Sequence, residues 1–380
     1  MMQITEAAIE LPALATAHSH AFQRGMRGEA QRPGPAAAGS DDFWSWRTAM
    51  YSLADSLTPE SIHEISLVAY RELYAAGVRT VGEFHYVHHQ AGGAPYADRT
   101  ALADAVIRAA REAGLRIALL RVIYARAGAG RAPEGAQRRF CDATLDAALA
   151  DVEALRARYT GDRDVVIGVA PHSVRAVPPA WLPEIAAYAA ARRMPVHMHV
   201  AEQPAEIAAC LSETGKRPVE LLAERGVLSE RFVAVHATHL APHEPALLGE
   251  ARAFACLCPT TERDLGDGLP DVGALVDAGV RLCTGIDSHV MTDPFEDLRG
   301  VELGERLRTG KRVRLCAKEG QTPAEALWEI GSQLGAEASG FADPGGKILI
   351  DRGARELALV REERLLDAIV FSGGPGMVRG

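Results

Sequence analysis

Residues 195–203 read PVHMHVAEQ, and this stretch decides the fold. Pro195 to Val200 is too apolar for a strand with one wet face, yet it ends in His199 and Glu202, where a strand would give way to a loop. The same construction recurs on either side. Short runs rich in Val, Ile, Leu and Ala lie near 13–18, 78–84, 115–122, 165–170, 195–200, 232–236, 253–257 and 281–286. Stretches of helical composition follow near 58–76, 98–113, 142–158, 179–192, 203–213, 216–224, 244–250 and 271–278. Strands buried on both faces and alternating with helices predict a closed (β/α)₈ TIM barrel rather than an open sheet. Polar residues recur at the carboxyl ends of these runs: His18, His20, Glu83, His85, His172, His199, His236 and Asp287. In a barrel those ends meet at one mouth.

The chain has 380 residues, more than the ~250 typical of one TIM barrel. The expected division is a barrel over 1–340 and a short C-terminal β appendage over 341–380. A late helix near 321–334 should start with Thr322 as cap and Pro323 as first residue. The Pro- and Gly-rich residues 28–45 predict a loop long enough to fold over the mouth. A net charge of −9 excludes general attraction to nucleic acid or acidic lipid, so the expected partner is a small molecule. No run approaches the ~20 apolar residues of a membrane span, and the start MMQITEAAIE is acidic where a secretory signal is basic, so a cytoplasmic location is expected. The six scattered cysteines are expected to be reduced, with Cys256 and Cys258 alternating along a strand in structural roles.

His18 and His20 are two residues apart, which puts both imidazoles on one side of an extended strand and suits zinc. His197 and His199 also point one way. The second lies nearer the mouth and is the expected ligand, leaving His197 deeper in the core. Asp287 adds one hard oxygen to three imidazoles and leaves a position open for water. Glu202, three residues past His199, is placed to shuttle protons without ligating. His236, one strand over, could serve an oxyanion or a substrate nitrogen, and His239 and His289 read as loop histidines.

The segments AHSHAFQR, EFHYVHH, PHSVRA, HMHVAEQ, VHATHL, CPTTERDLGDG and GIDSHV together resemble the formimidoylglutamate deiminases of the metal-dependent amidohydrolase superfamily. The resemblance spans His18 to about Leu307. It implies hydrolytic deimination of N-formimino-L-glutamate to N-formyl-L-glutamate and ammonia, in histidine degradation, by a homodimer. It implies one divalent metal, zinc or iron(II), on His18, His20, His199 and Asp287. Glu202 becomes the proton-transfer group, with His236 its partner at the substrate and Asp287 assisting. Gln23 would touch the formimino end, while Arg47, Tyr86, His172 and Arg175 would hold the glutamate part. Arginine suits that task, because its planar fork matches a carboxylate. Only 17 residues precede His18, so the small β-sandwich of such proteins is expected to be absent or truncated. The alternative is a related deaminase or amidase acting on a nucleobase, a guanidino or another formimino compound.

Overall fold

A computed structural model describes residues 2–29, 31, 43–315 and 320–379. Most of the loop expected over 28–45, and Cys316, lie outside the described residues. Two short strands, β1 (Gln3–Ile4) and β2 (Ala8–Pro12), come first. The barrel strands are β3 (Leu14–Ser19), β4 (Val78–His85), β5 (Arg116–Ile123), β6 (Val165–Pro171), β7 (Val196–Val200), β8 (Phe232–His236), β9 (Phe254–Leu257) and β10 (Arg281–Thr284). These eight pair in sequence order, and every pairing is parallel. Strands β11 (Lys347–Asp351) and β12 (Val378–Arg379) follow.

The barrel closes at its mouth. Ser19 and Asp287 form a parallel bridge, with Asp287 N–H donating to His18 O at 3.1 Å and His20 N–H donating to Asp287 O at 2.9 Å. Strands β7, β8 and β9 are buried at every residue, as their apolar runs require. Close approach of β3 and β4 depends on Gly82, where a Cβ would stand 2.4 Å from Ala17 O.

The appendage is a single antiparallel sheet of four strands in the order β1-β2-β11-β12. It draws β1 and β2 from before the barrel, so the small layer is built from both ends of the chain rather than from residues past 340 alone. Alternation explains the pairing. Ile9 and Leu11 face Ile350 and Ile348 across β2 and β11, and all four are buried, while Glu10 and Lys347 form an ion pair on the outer face. The C-terminal region also contains a helix, Leu365–Ser372, whose Leu365, Ile369 and Val370 are buried.

The late helix begins as expected, with Thr322 capping and Pro323 first, but it runs as α-helix only over Pro323–Glu329 before a π turn at Ile330–Leu334. Two further helices, α1 (Phe43–Ser56) and Pro294–Thr309, were not expected from the sequence. The second contains Gly300 and Gly304, which count against a helix. Gly300 is needed because a Cβ there would meet Pro259 Cβ at 2.6 Å.

On the outer side of β5, Arg121 is 1% exposed and donates to Asp142 at 2.6 and 2.7 Å and to Asp151 at 2.7 Å. Asp151 is in turn held by Arg99 at 2.7 Å. Removing the shared cation leaves the buried Asp142 without its partner and Asp151 with Arg99 alone. Arg121→Met is therefore expected to lower the unfolding free energy by about 3–5 kcal/mol, read from denaturant or thermal unfolding. A loss under ~1 kcal/mol would mean the network contributes little.

Candidate active site

The strand ends gather three imidazoles whose ligand atoms lie within 4.8 Å of one another, and Asp287 reaches two of them. His18 Nε2 lies 3.2 Å from His20 Nε2 and 3.3 Å from His199 Nε2. Asp287 Oδ1 lies 3.5 Å from His18 Nε2 and 3.4 Å from His20 Nε2. Burial keeps these rings neutral: it pushes His18 down to about 3 and lowers His20 and His199. His20 Nδ1–H donates to Phe84 O at 3.0 Å, which turns the lone pair of its Nε2 into the cluster. Nε2 atoms gathered this way cannot satisfy one another. A cation would answer that. Four ligands at ~2.0–2.1 Å from a tetrahedral zinc stand about 3.3–3.4 Å apart, so the donor set and its spacing fit a divalent metal.

Asp287 keeps its charge. Burial would raise its pKa, but the hydrogen bond with His18 and the charge of His236 hold it well below the usual carboxylate range. His236, Cys258 and Asp287 form a second group whose ligand atoms lie within 4.8 Å of one another. Burial pushes the Cys258 thiol well above its ordinary value, and a neutral thiol is the poorer ligand.

Beside the cluster, His236 Nε2 is 3.7 Å from Glu202 Oε1 and 3.7 Å from Asp287 Oδ2. Its Nδ1 faces Glu262 Oε1 at 3.3 Å, and the same oxygen accepts Cys258 N–H at 2.9 Å. Burial alone would lower the His236 pKa, but Glu202, Glu262 and Asp287 push it up to about 10. Burial raises Glu202, helped by Asp287 and opposed by His236. The backbone here is unusual. Ala201, His236, Ala237, Asp287 and His289 have φ of 53°, 70°, 51°, 54° and 55°, in the left-handed region non-glycine residues avoid.

A pocket opens above, lined by Gln23, Arg47, Tyr86, His172 and Arg175 as well as by His20, His199, Glu202, His236 and Asp287. All ten were singled out from the sequence; His18, the remaining one, is fully buried beneath. Gln23 Nε2–H donates to Tyr86 Oη at 2.9 Å, and Gln23 Oε1 has no partner among the described residues. Arg47 Nε–H donates to Tyr51 Oη at 2.6 Å, and Arg175 Nη1–H to Tyr124 Oη at 3.1 Å. His172 Nδ1 meets Ser173 Oγ at 3.2 Å.

His197 is the core histidine expected, with Nε2 2.9 Å from Ala338 O. His289 is the loop histidine expected. It is fully buried, with Nε2 2.9 Å from Ser19 Oγ, and Ser19 donates to Glu83 Oε2 at 2.6 Å. Sequence reasoning also passed over Met50, Tyr51, Tyr124, Phe140 and Glu206 in the pocket wall, and Glu262 behind His236. Tyr51 stands four residues after Arg47, a helical spacing that would have paired them had α1 been recognised.

Known proteins carry the same frame. A formimidoylglutamate deiminase from Pseudomonas aeruginosa is 38% identical over 97% of this chain and 82% of its own length. The crystal structure of an amidohydrolase from Brucella melitensis superposes with a TM-score of 0.86 at 34% identity, covering 99% of this chain and 90% of that one. A zinc-bound adenosine deaminase from Xanthomonas campestris shares the fold, with a TM-score of 0.80 at 22% identity over 98% of this chain and 78% of its own. The amidohydrolase family pattern matches residues 9–354, and the chain belongs to that metal-dependent family.

Proposed function

We propose that the protein hydrolyses the formimino carbon–nitrogen bond of N-formimino-L-glutamate, giving N-formyl-L-glutamate and ammonia. The observation that carries this reading is that Arg47 and Arg175 line the same pocket as Glu202, His236 and Asp287. Two guanidinium groups beside a hydrolytic centre, in a chain of net charge −9, suit a small substrate with two carboxylates. The likeness to the Pseudomonas aeruginosa deiminase supports the same choice. By the same resemblance we take the enzyme to be a cytoplasmic homodimer of histidine degradation. No helix among the described residues is long and apolar enough to cross a membrane.

In this reading His18, His20, His199 and Asp287 hold one divalent metal, zinc by the donor set, with iron(II) served by the same atoms. When bound, such an ion lowers the pKa of water and polarises the group under attack. Glu202 accepts the proton of the attacking water on its carboxylate, with Asp287 assisting. The carbon–oxygen bond forms at the formimino carbon. Glu202 delivers that proton to the formimino nitrogen, whose double bond to carbon becomes single; the proton left on the new hydroxyl then passes through Asp287 and Glu202 to the same nitrogen, the carbonyl forms, the carbon–nitrogen bond breaks, and ammonia leaves. His236, oriented through Nδ1 by Glu262, turns Nε2 toward the charge that develops on the tetrahedral carbon's substituents. Gln23 meets the formimino end, while Tyr86, His172, Arg47 and Arg175 hold the glutamate part.

A nucleobase would call for parallel rings that sandwich a plane. The rings of Tyr51, Tyr86 and Tyr124 instead meet Phe140 at 62°, 88° and 63°. The decisive assay is ammonia release by metal-replete protein from formiminoglutamate, formiminoglycine and a nucleobase panel. Formiminoglutamate should be the best substrate, and preferential turnover of a nucleobase would reject the reading.

Glu202→Gln should retain the metal and lose roughly 10²–10⁴-fold in kcat, since an amide cannot accept the proton. Near-normal turnover of the metal-loaded variant would assign the proton to another group. Arg175→Met should cost roughly tenfold to hundredfold in kcat/KM for formiminoglutamate and much less for a monocarboxylate analogue. Equal losses on both would make Arg175 a general support of the site.

A further inference from the structure

The anion-holding side of the pocket contains two phenols whose protons have no acceptor among the described residues. Tyr51 Oη accepts Arg47 Nε–H at 2.6 Å and Gln137 Nε2–H at 3.2 Å. Tyr124 Oη accepts Arg175 Nη1–H at 3.1 Å and Gln137 Nε2–H at 3.4 Å. The direction of these bonds follows from chemistry. A guanidinium N–H only donates, and the amide of Gln137 is oriented by its oxygen, which accepts Glu134 N–H at 3.2 Å. A phenol oxygen has two lone pairs and one O–H. Both lone pairs are engaged on each tyrosine, so each O–H must go elsewhere, and no acceptor for either is present among the described residues. Both tyrosines line the pocket.

We infer that Tyr51 and Tyr124 each donate an O–H to a substrate carboxylate, so that two arginine–tyrosine dyads, yoked by Gln137, select a dicarboxylate. Each dyad offers one charged and one neutral donor to the same acceptor. The arginine N–H polarises the phenol it touches and strengthens its O–H as a donor. Gln137 is the positioning residue. It is buried, it bonds both phenol oxygens, and it fixes the separation of the two dyads. Its own place is secured by the short helix Gly135–Arg139, whose Arg139 donates to Ala54 O and to Leu57 O at 2.7 Å and so grips the end of α1, the helix that carries Arg47 and Tyr51. Burial, with the nearby Tyr124, raises the Tyr51 pKa to about 12, so the phenol keeps its proton at neutral pH.

The inference rests on the reading that this pocket binds a dianion, and the test separates the two. Calorimetry on metal-replete protein measures glutarate and butyrate binding for wild type, Tyr51→Phe, Tyr124→Phe and Gln137→Leu, with metal content checked in each. Wild type should prefer glutarate. Each tyrosine variant should weaken glutarate roughly tenfold or more, the worth of one hydrogen bond to a charged group, and weaken butyrate far less, because a single carboxylate can use the remaining dyad. Gln137→Leu should lower the glutarate-to-butyrate ratio with metal content unchanged. A ratio that stays at the wild-type value in both tyrosine variants overturns the inference, and so does equal weakening of both acids. Ammonia release from formiminoglutamate is followed in parallel. Turnover with an unmoved ratio leaves the proposed substrate standing and removes the dyads, whereas the expected ratio changes without turnover keep the dyads and remove the substrate.

Discussion

Two backbone hydrogen bonds, from Asp287 N–H to His18 O and from His20 N–H to Asp287 O, close the barrel and set the site in one stroke. They lie around the bridge between Ser19 and Asp287 where the last strand end meets the first. Ile286 N–H donates to Thr16 Oγ1 at 2.8 Å and extends the seam. Gly285 leaves the space for it, since a Cβ there would stand 2.6 Å from His18 Cβ and 2.9 Å from Cys258 Sγ. The left-handed backbone at Asp287 and His289 costs on the order of 1–3 kcal/mol per residue, and closure of the whole barrel offsets it. A change at this seam therefore reaches fold and chemistry together.

The pocket above is divided by charge. On one side carboxyl groups surround His236. Burial pushes Glu206, which lines the pocket, up to about 7, helped by the charge of Glu202. Groups that gain and lose protons near neutrality are suited to moving them. On the other side stand Arg47 and Arg175 with their tyrosines. The two halves suit a molecule with a reacting amidine-like carbon at one end and carboxylates at the other.

The strand ends were legible in the sequence because burial on both faces makes the runs apolar and a period of two fixes which histidines point together. That pattern points to His18, His20 and His199, and Asp287 follows from its place at the end of the last strand. It does not reach Tyr51 and Gln137, 86 residues apart in sequence, which meet only because α1 and the short helix Gly135–Arg139 pack together. Glu262 is one of several acidic residues in CPTTERDLGDG, and only the fold shows which faces His236. His289 reads as a loop histidine because it lies past the last strand; its partner, Ser19, belongs to the first. The appendage was read as C-terminal because β1 and β2 are too short to signal a sheet until β11 pairs with them.

We propose one metal centre on the three imidazoles and Asp287. Anomalous X-ray diffraction from crystals of metal-replete, active protein, recorded on both sides of the zinc absorption edge, tests it most directly. One anomalous peak per chain is expected, bounded by Nε2 of His18, His20 and His199 and by Asp287 Oδ1. A single peak among His236, Cys258 and Asp287 instead, or full activity in crystals with no anomalous metal of any kind, would contradict it.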